Sequence, residues 1–241
     1  MHRVSTFVSR LPLLILALAT LSVAAFGQSN SGSITLQGTA SGYVEVRAGG
    51  AASVSGGGTI SNNKAKGDQL DNPSVLTIDF GEVSPANTNA FVSATVPLRL
   101  RSNVSYTLKM TAGAMSYGSG TPDANSVTLA DVGFGVTSAT RDSGGGVASG
   151  TDTIASGSGD PTSGSNGATS GSTGRYVYNS GFSLGDYSSA TTLLTGPRVM
   201  QAAVPTGSTN GLVVNTVFAV KPQFFTPGSF STSVTFTISN P

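Results

Sequence analysis

The chain has no cysteine, no tryptophan and a single histidine, His2, among 241 residues. Charge is scarce too, with Asp, Glu, Lys and Arg together at 10%. Each absence excludes a class of chemistry. Without cysteine there is no thiol nucleophile, no disulfide and no sulfur ligand for zinc. With its one histidine in a leader-like N-terminus, the chain cannot build a Ser-His-Asp triad. Twelve basic residues against eleven acidic ones give no basic stripe for nucleic acid or an anionic membrane. Neither a phosphate loop nor a dinucleotide fingerprint occurs, so no cofactor is expected.

Long apolar runs are also missing, apart from one. Arg3 and Arg10 precede an uncharged stretch from Leu11 to Ala25, and Ala25-Phe26-Gly27 then offers small groups at positions −3 and −1 of a cleavage site. This is the three-part pattern of a secretory signal peptide over residues 1–27, with cleavage after Gly27 and Gln28 as the new N-terminus. The run falls short of the roughly 20 apolar residues of a spanning helix. An uncleaved anchor is the alternative. The expected product is exported through the periplasm to the cell surface or medium, with no membrane span in the mature chain. An exported chain without cysteine gains nothing covalent from oxidising surroundings, so burial must hold it together.

What the mature sequence does contain is alternation. Ile34, Leu36, Gly38, Ala40, Gly42, Val44 and Val46 alternate with polar residues, as do Leu76, Ile78 and Phe80. Val92 to Leu100 repeats the pattern, and so do Val104 to Met110, Val214 to Val220, and Phe230 with Val234, Phe236 and Ile238. Side chains of a strand point alternately to its two faces, so each set reads as one buried face backed by a Ser/Thr-rich wet face. Arg99 and Arg101 fall on the wet side and read as solvated charges. Gly, Pro and Asn punctuate the runs at Ser55–Gly58, Asn62-Asn63, Asp71–Pro73, Ser84-Pro85, Pro122-Asp123 and Thr226–Gly228. Short strands with such punctuation predict an all-β, antiparallel β-sandwich, with residues 28–241 as a single domain.

One segment breaks the pattern. Between Ser143 and Gly174, 10 of 32 residues are Gly and 8 are Ser. That composition buries little surface and predicts a long flexible Gly/Ser-rich loop over 143–174. Residues 175–201, with Tyr176, Tyr178, Phe182, Leu184, Leu193 and Leu194, re-enter the sheet.

Candidate chemistry is thin. Ser61-Asn-Asn-Lys64 has the spacing of a serine nucleophile with a lysine base, but its usual companion motifs are missing and its asparagines favour a turn over a helix start. The acids Asp71, Asp123, Asp142 and Asp160 sit in turn-like contexts rather than as an obvious glycosidase pair. Asp152 and Asp160 lack the alternating oxygen-ligand spacing of a calcium loop. Asn103-Val-Ser105 is a formal glycosylation acceptor, without that meaning in a bacterial export product. The expectation is a protein that is not an enzyme, with no catalytic, cofactor or metal residues.

Three stretches carry a resemblance. Phe80-Gly-Glu-Val-Ser-Pro85, the Val92–Leu100 strand and Ser102-Asn-Val-Ser-Tyr-Thr-Leu-Lys-Met110 together resemble bacterial chaperone–usher pilin subunits and the related spore coat protein U domain. The terminal stretch Pro227 to Ile238 is similar to their last strand, and Ile34-Thr-Leu-Gln-Gly-Thr-Ala40 to their N-terminal strand. The cysteine pair of many members is absent. The resemblance implies an immunoglobulin-like, pilin-like sandwich that lacks one strand and is completed by a neighbour's N-terminal segment, through β-strand addition. Ile34, Leu36 and Ala40 would then fill pockets, and Gly38 would sit where the groove is tight. The same segment could equally be strand one of its own sandwich. The first reading implies a structural subunit of a surface fibre or coat, partnered by neighbouring subunits, a periplasmic chaperone and an outer-membrane usher. The alternative is a self-contained β-sandwich acting as an adhesin or glycan-binding module, motivated by the long polar loop and the Ser/Thr-rich outer faces.

Overall fold

Alternating runs can satisfy their backbone polar groups only by pairing, and their apolar faces only by meeting another sheet. The computed structural model describes the backbone of residues 29–33, and residues 44–70, 76–85, 90–118, 122–201 and 209–241. In chain order the strands are β1 (Ser29–Ser33), β2 (Val44–Ala48), β3 (Ser53–Ser55), β4 (Thr59–Ser61), β5 (Thr77–Asp79), β6 (Val92–Ser102), β7 (Tyr106–Ala112) and β8 (Ser116–Tyr117). They continue as β9 (Val132–Arg141), β10 (Thr153–Ile154), β11 (Gly167–Thr169), β12 (Tyr176–Tyr178), β13 (Thr191–Gly196), β14 (Leu212–Val220), β15 (Phe230–Ser231) and β16 (Val234–Ser239). Single helical turns occur at Leu129–Asp131 and Leu184–Tyr187.

The expected all-β sandwich is what forms. One sheet runs β2-β6-β14-β9, with β3 continuing beside β6 where β2 ends; the other runs β1-β16-β7-β13-β10. Pairing is antiparallel throughout both sheets. Val96, Leu98 and Leu100 from β6 and Val214 and Phe218 from β14 share one core with Leu108 and Met110 from β7 and Phe236 and Ile238 from β16. Phe134 is fully buried, with Tyr187 edge-on at 5.0 Å and Phe218 at 5.1 Å between ring centres.

A bulge in β9 decides how the Gly/Ser-rich insertion is held. Asn215 pairs with Ser138 but Thr216 with Val136, so Thr137 is the extra residue. Before it, Val132, Phe134 and Val136 face inward; after it, the inward set shifts to Ala139 and Arg141. Arg141 therefore enters the sandwich end. Its Nε and Nη2 donate in parallel to the two carboxylate oxygens of Asp152, both at 2.7 Å. Its Nη1 donates to the carbonyls of Ala148 and Arg198 at 2.8 Å, and Nη2 also to that of Pro197 at 3.0 Å. The Tyr106 hydroxyl donates to Asp152 Oδ1 at 2.6 Å. Burial, then the bond to Asp152, pushes the Tyr106 pKa far above the ordinary phenol range.

The segment 143–174 thus differs from the loop expected of its composition. Beyond Asp152 it pairs β10 with β13 and β11 with β12. Gly157 and Gly159 exchange hydrogen bonds with both polar groups of Val136, and Phe182 O accepts from Phe134 N–H, so the outer edge of β9 is covered. Composition concealed this, because the fastening rests on one aspartate and on backbone groups, with only a few apolar side chains such as Val147, Ala148 and Ile154 packed inward.

Close approach also explains Gly133 and Gly135, the outward residues of Val-Gly-Phe-Gly-Val. A Cβ on Gly133 would lie 2.4 Å from the Tyr178 ring, and one on Gly135 would lie 2.2 Å from the backbone oxygen of Gly159. Backbone cannot step aside as a side chain can. Gly135→Ala should therefore destabilise the fold by about 1–3 kcal/mol, the usual range for overpacking. Urea unfolding checks this; an unchanged midpoint would mean the insertion does not lie against β9.

Arg99 needs a correction. It does lie on the outer face of β6, but only 1% of it is exposed. The 64–68 and 209–211 segments cover it: a Cβ on Gly67 would meet Thr209 at 2.9 Å, and one on Gly211 would meet the Arg99 stem at 2.9 Å. Lys66 pairs with Asp142 at 3.0 Å, and Asp142 also accepts from Gly211 N–H at 2.9 Å, tying the cover together. Arg99 Nε and Nη2 meet no acceptor among the described residues. Burial lowers its pKa, against the opposing charge of Asp142. Arg101 is partly exposed and faces Glu45, which also holds Arg47.

Candidate functional site

The two flanks of the sandwich are closed by unlike means. On one, β10 caps β13, while Gly157, Gly159 and Phe182 cap β9. On the other, β1 caps β16, in register from Ser29 opposite Ser239 to Ser33 opposite Thr235. The residues of β1 are Ser-Asn-Ser-Gly-Ser. With no large apolar side chain, this strand rests on backbone hydrogen bonds, each worth only about 0.5–1.5 kcal/mol net. On its far side β16 pairs with β7 across six positions, and Val234, Phe236 and Ile238 are buried. The outermost ladder is thus the weakly anchored one.

An apolar cleft of about 190 Å³ opens at the Val234 end of β16. Leu76, Ile78, Phe80, Met115, Phe230 and Val234 line it, with Leu184 and Phe218 behind. Part of its wall is Phe80, which precedes the turn at Gly81. Gly81 has φ +67°, a left-handed conformation that glycine adopts without a Cβ penalty, and its N–H donates to Asp79 Oδ1 at 2.8 Å. That turn ends β5 and leaves Phe80 on the cleft while the chain departs. β5 itself pairs with β4, Ile60 opposite Ile78, and joins neither main sheet.

Among the described residues, those singled out from the sequence are not drawn together. Ile34, Leu36, Gly38 and Ala40, the signal segment with its cleavage position Gly27, and Asp71 lie outside the described residues. Ser61 is exposed at the end of β4 in a hairpin, not at a helix start, and Lys64 is buried. Asp123 accepts from the Thr226 hydroxyl at 2.7 Å and from Asn125 N–H at 2.8 Å, and these bonds hold its pKa down. Asp142 and Asp152 are held as described above, and Asp160 accepts from the Thr162 amide and hydroxyl, both at 2.8 Å. Asn103 and Ser105 are exposed in the turn between β6 and β7.

Among the described residues no three His, Cys, Asp or Glu side chains gather where they could share a metal ion. No described helix is long and apolar enough to cross a membrane. Among the apolar residues of the cleft, sequence reading missed Met115 and Val132, and it placed Leu184 only in the chain returning to the sheet. None of the three belongs to an alternating set that marks it as a neighbour of Phe80. Comparison of the chain with protein-family models, with curated proteins and with solved structures gave no match.

Proposed function

We propose that this chain is an exported, non-enzymatic structural subunit of a bacterial surface fibre or coat, assembling by β-strand addition. The observation that carries the reading is the unequal closure of the flanks. The insertion fastens the β9–β13 flank through backbone pairing and a buried ion pair. The β16 flank carries a strand of five small polar residues beside an open apolar cleft. A strand edge held so weakly is where an added strand gains most, because backbone bonds supply affinity and alternate side chains fill pockets.

The ladder register gives the reading its detail. Counting on from Ser33 opposite Thr235 places residue 34 of an added strand opposite Val234, a residue that lines the cleft. Ile34 of a neighbouring subunit is then the first apolar group to reach it, with Leu36 and Ala40 following and Gly38 in the tight place. The immunoglobulin-like, pilin-like character belongs to the same reading, as do a periplasmic chaperone and an outer-membrane usher as transit partners.

Deletion of residues 28–40 tests it. The shortened chain should stay monomeric in gel filtration, where the full mature chain forms multimers, and should bind a synthetic Gln28–Ala40 peptide with recovery of thermal stability. If the shortened chain unfolds and the peptide restores nothing, the segment is an ordinary strand of its own sandwich.

A further inference from the structure

Phe224 is 89% exposed, the extreme among the described large apolar side chains. It stands between two clefts, of about 590 and 430 Å³, which share only Phe224 and its neighbour Gln223 as walls. A ring placed on such a ridge offers a flat apolar face to both.

The larger cleft has a built floor. Tyr176 meets Phe91 edge-on at 5.3 Å and Tyr178 at 5.2 Å. Gln223 fixes this strand to the Phe224 turn, accepting from Tyr176 N–H at 2.6 Å and donating to Tyr176 O at 3.3 Å. Two cations line the cleft and no carboxylate does. Lys221 Nζ stands 5.0 Å over the Phe91 ring, and Arg175 lies 5.4 Å over that of Phe225. Arg175 also donates to Asp131 at 2.7 Å and to the Ala124 carbonyl at 3.1 Å, so one carboxylate, outside the cleft lining, balances part of the positive charge of the two cations. Asn125, Thr169 and Thr173 add hydrogen-bonding groups. The smaller cleft instead carries Glu82.

We propose that the two clefts form a binding site for an acidic oligosaccharide. The chemistry selects that class. A pyranose ring presents an apolar C–H face to an exposed aromatic, its hydroxyls suit amides and threonines, and a sugar carboxylate suits the Arg175–Lys221 side. Two adjoining clefts divided by a ring fit consecutive sugar units, with the charged unit in the larger cleft and a neutral unit beside Glu82. A peptide would be read chiefly by a ladder on an open strand edge, whereas side chains dominate here.

A panel of uronate- and sialate-bearing oligosaccharides, their neutral counterparts and polyglutamate tests this against the purified protein by calorimetry. At least one acidic saccharide should bind, more weakly as salt rises. Phe224→Ala should weaken it by about tenfold, as loss of an aromatic contact does. Lys221→Gln should lower the preference for acidic over neutral sugar by about threefold to fivefold, the scale of a rim charge. Because Phe224 packs against little, its variant stays folded and still forms multimers, so failure here is separate from failure of strand addition. Binding of no acidic saccharide, equal binding by Phe224→Ala, or tighter binding of polyglutamate overturns the proposal.

Discussion

Replacing Asp152 with alanine is expected to cost about 3–5 kcal/mol of folding stability, the range for breaking a buried ion pair from one side. The side chains of Arg141 and Asp152 are only 10% and 5% exposed. Without the carboxylate, a guanidinium stays in the sandwich end with two of its bonds lost, and the Tyr106 hydroxyl loses its acceptor. Water cannot replace them without opening the 143–174 insertion, whose attachment depends on the same aspartate. Domains of this kind have only about 5–15 kcal/mol in total, and this one has no disulfide in reserve. Chemical unfolding of Asp152→Ala should therefore show a large drop in midpoint. Limited proteolysis should in addition cut first within residues 143–174. A loss below about 1 kcal/mol, the value of a solvated pair, would mean the pair is open to water.

Phe134→Ala should be comparably damaging, by about 3–5 kcal/mol, as for other large aromatic truncations in cores. Phe134 belongs to the inward set of β9, pairs with Phe218 on β14, and touches Tyr187 in the turn at Leu184–Tyr187. Its ring thus joins the sheet to the segment returning from the insertion. Truncation leaves a cavity between two rings that a strand ladder cannot collapse to fill. Calorimetric melting of the variant measures the effect; a shift no larger than for an exposed substitution would remove Phe134 from the core.

The sequence legibility of this fold follows from how local each determinant is. In β7 and β16 the alternation runs unbroken and its inward residues are the buried ones; in β6 and β14 the inward residues are buried as expected, but Arg99, Val217 and Ala219 of the outer face are buried too. β9 was not legible. Its outward positions are the glycines Gly133 and Gly135, which look like turn residues, and the bulge at Thr137 reverses the parity. Val104 continues an apolar series yet is 38% exposed, because the chain turns between β6 and β7 there. Arg99 looked solvated because its cover comes from residues 64–68 and 209–211, far off in sequence.

The candidate site was half legible. Phe80-Gly81 marks a turn that the left-handed glycine confirms, and Phe230 and Val234 belong to a visible alternating run. Leu76, Ile78 and Phe80 share one run, but nothing local joins that run to Met115, Val132 or Leu184; only the folding of both sheets around a common end does that. The insertion's role as an edge cover was invisible for a related reason. Gly157 and Gly159 act through backbone groups, which every residue has.

Strand exchange is tested most directly by a disulfide, since the chain has no cysteine to interfere. Ser31 stands opposite Thr237 in the β1–β16 register. Chains carrying Ser31→Cys are mixed with chains carrying Thr237→Cys, allowed to assemble, and oxidised. Exchange between subunits requires a disulfide-linked heterodimer on a non-reducing gel. If the mixture yields none, while the double variant closes the same bond within one monomer, β1 stays with its own β16 and assembly by strand addition is wrong.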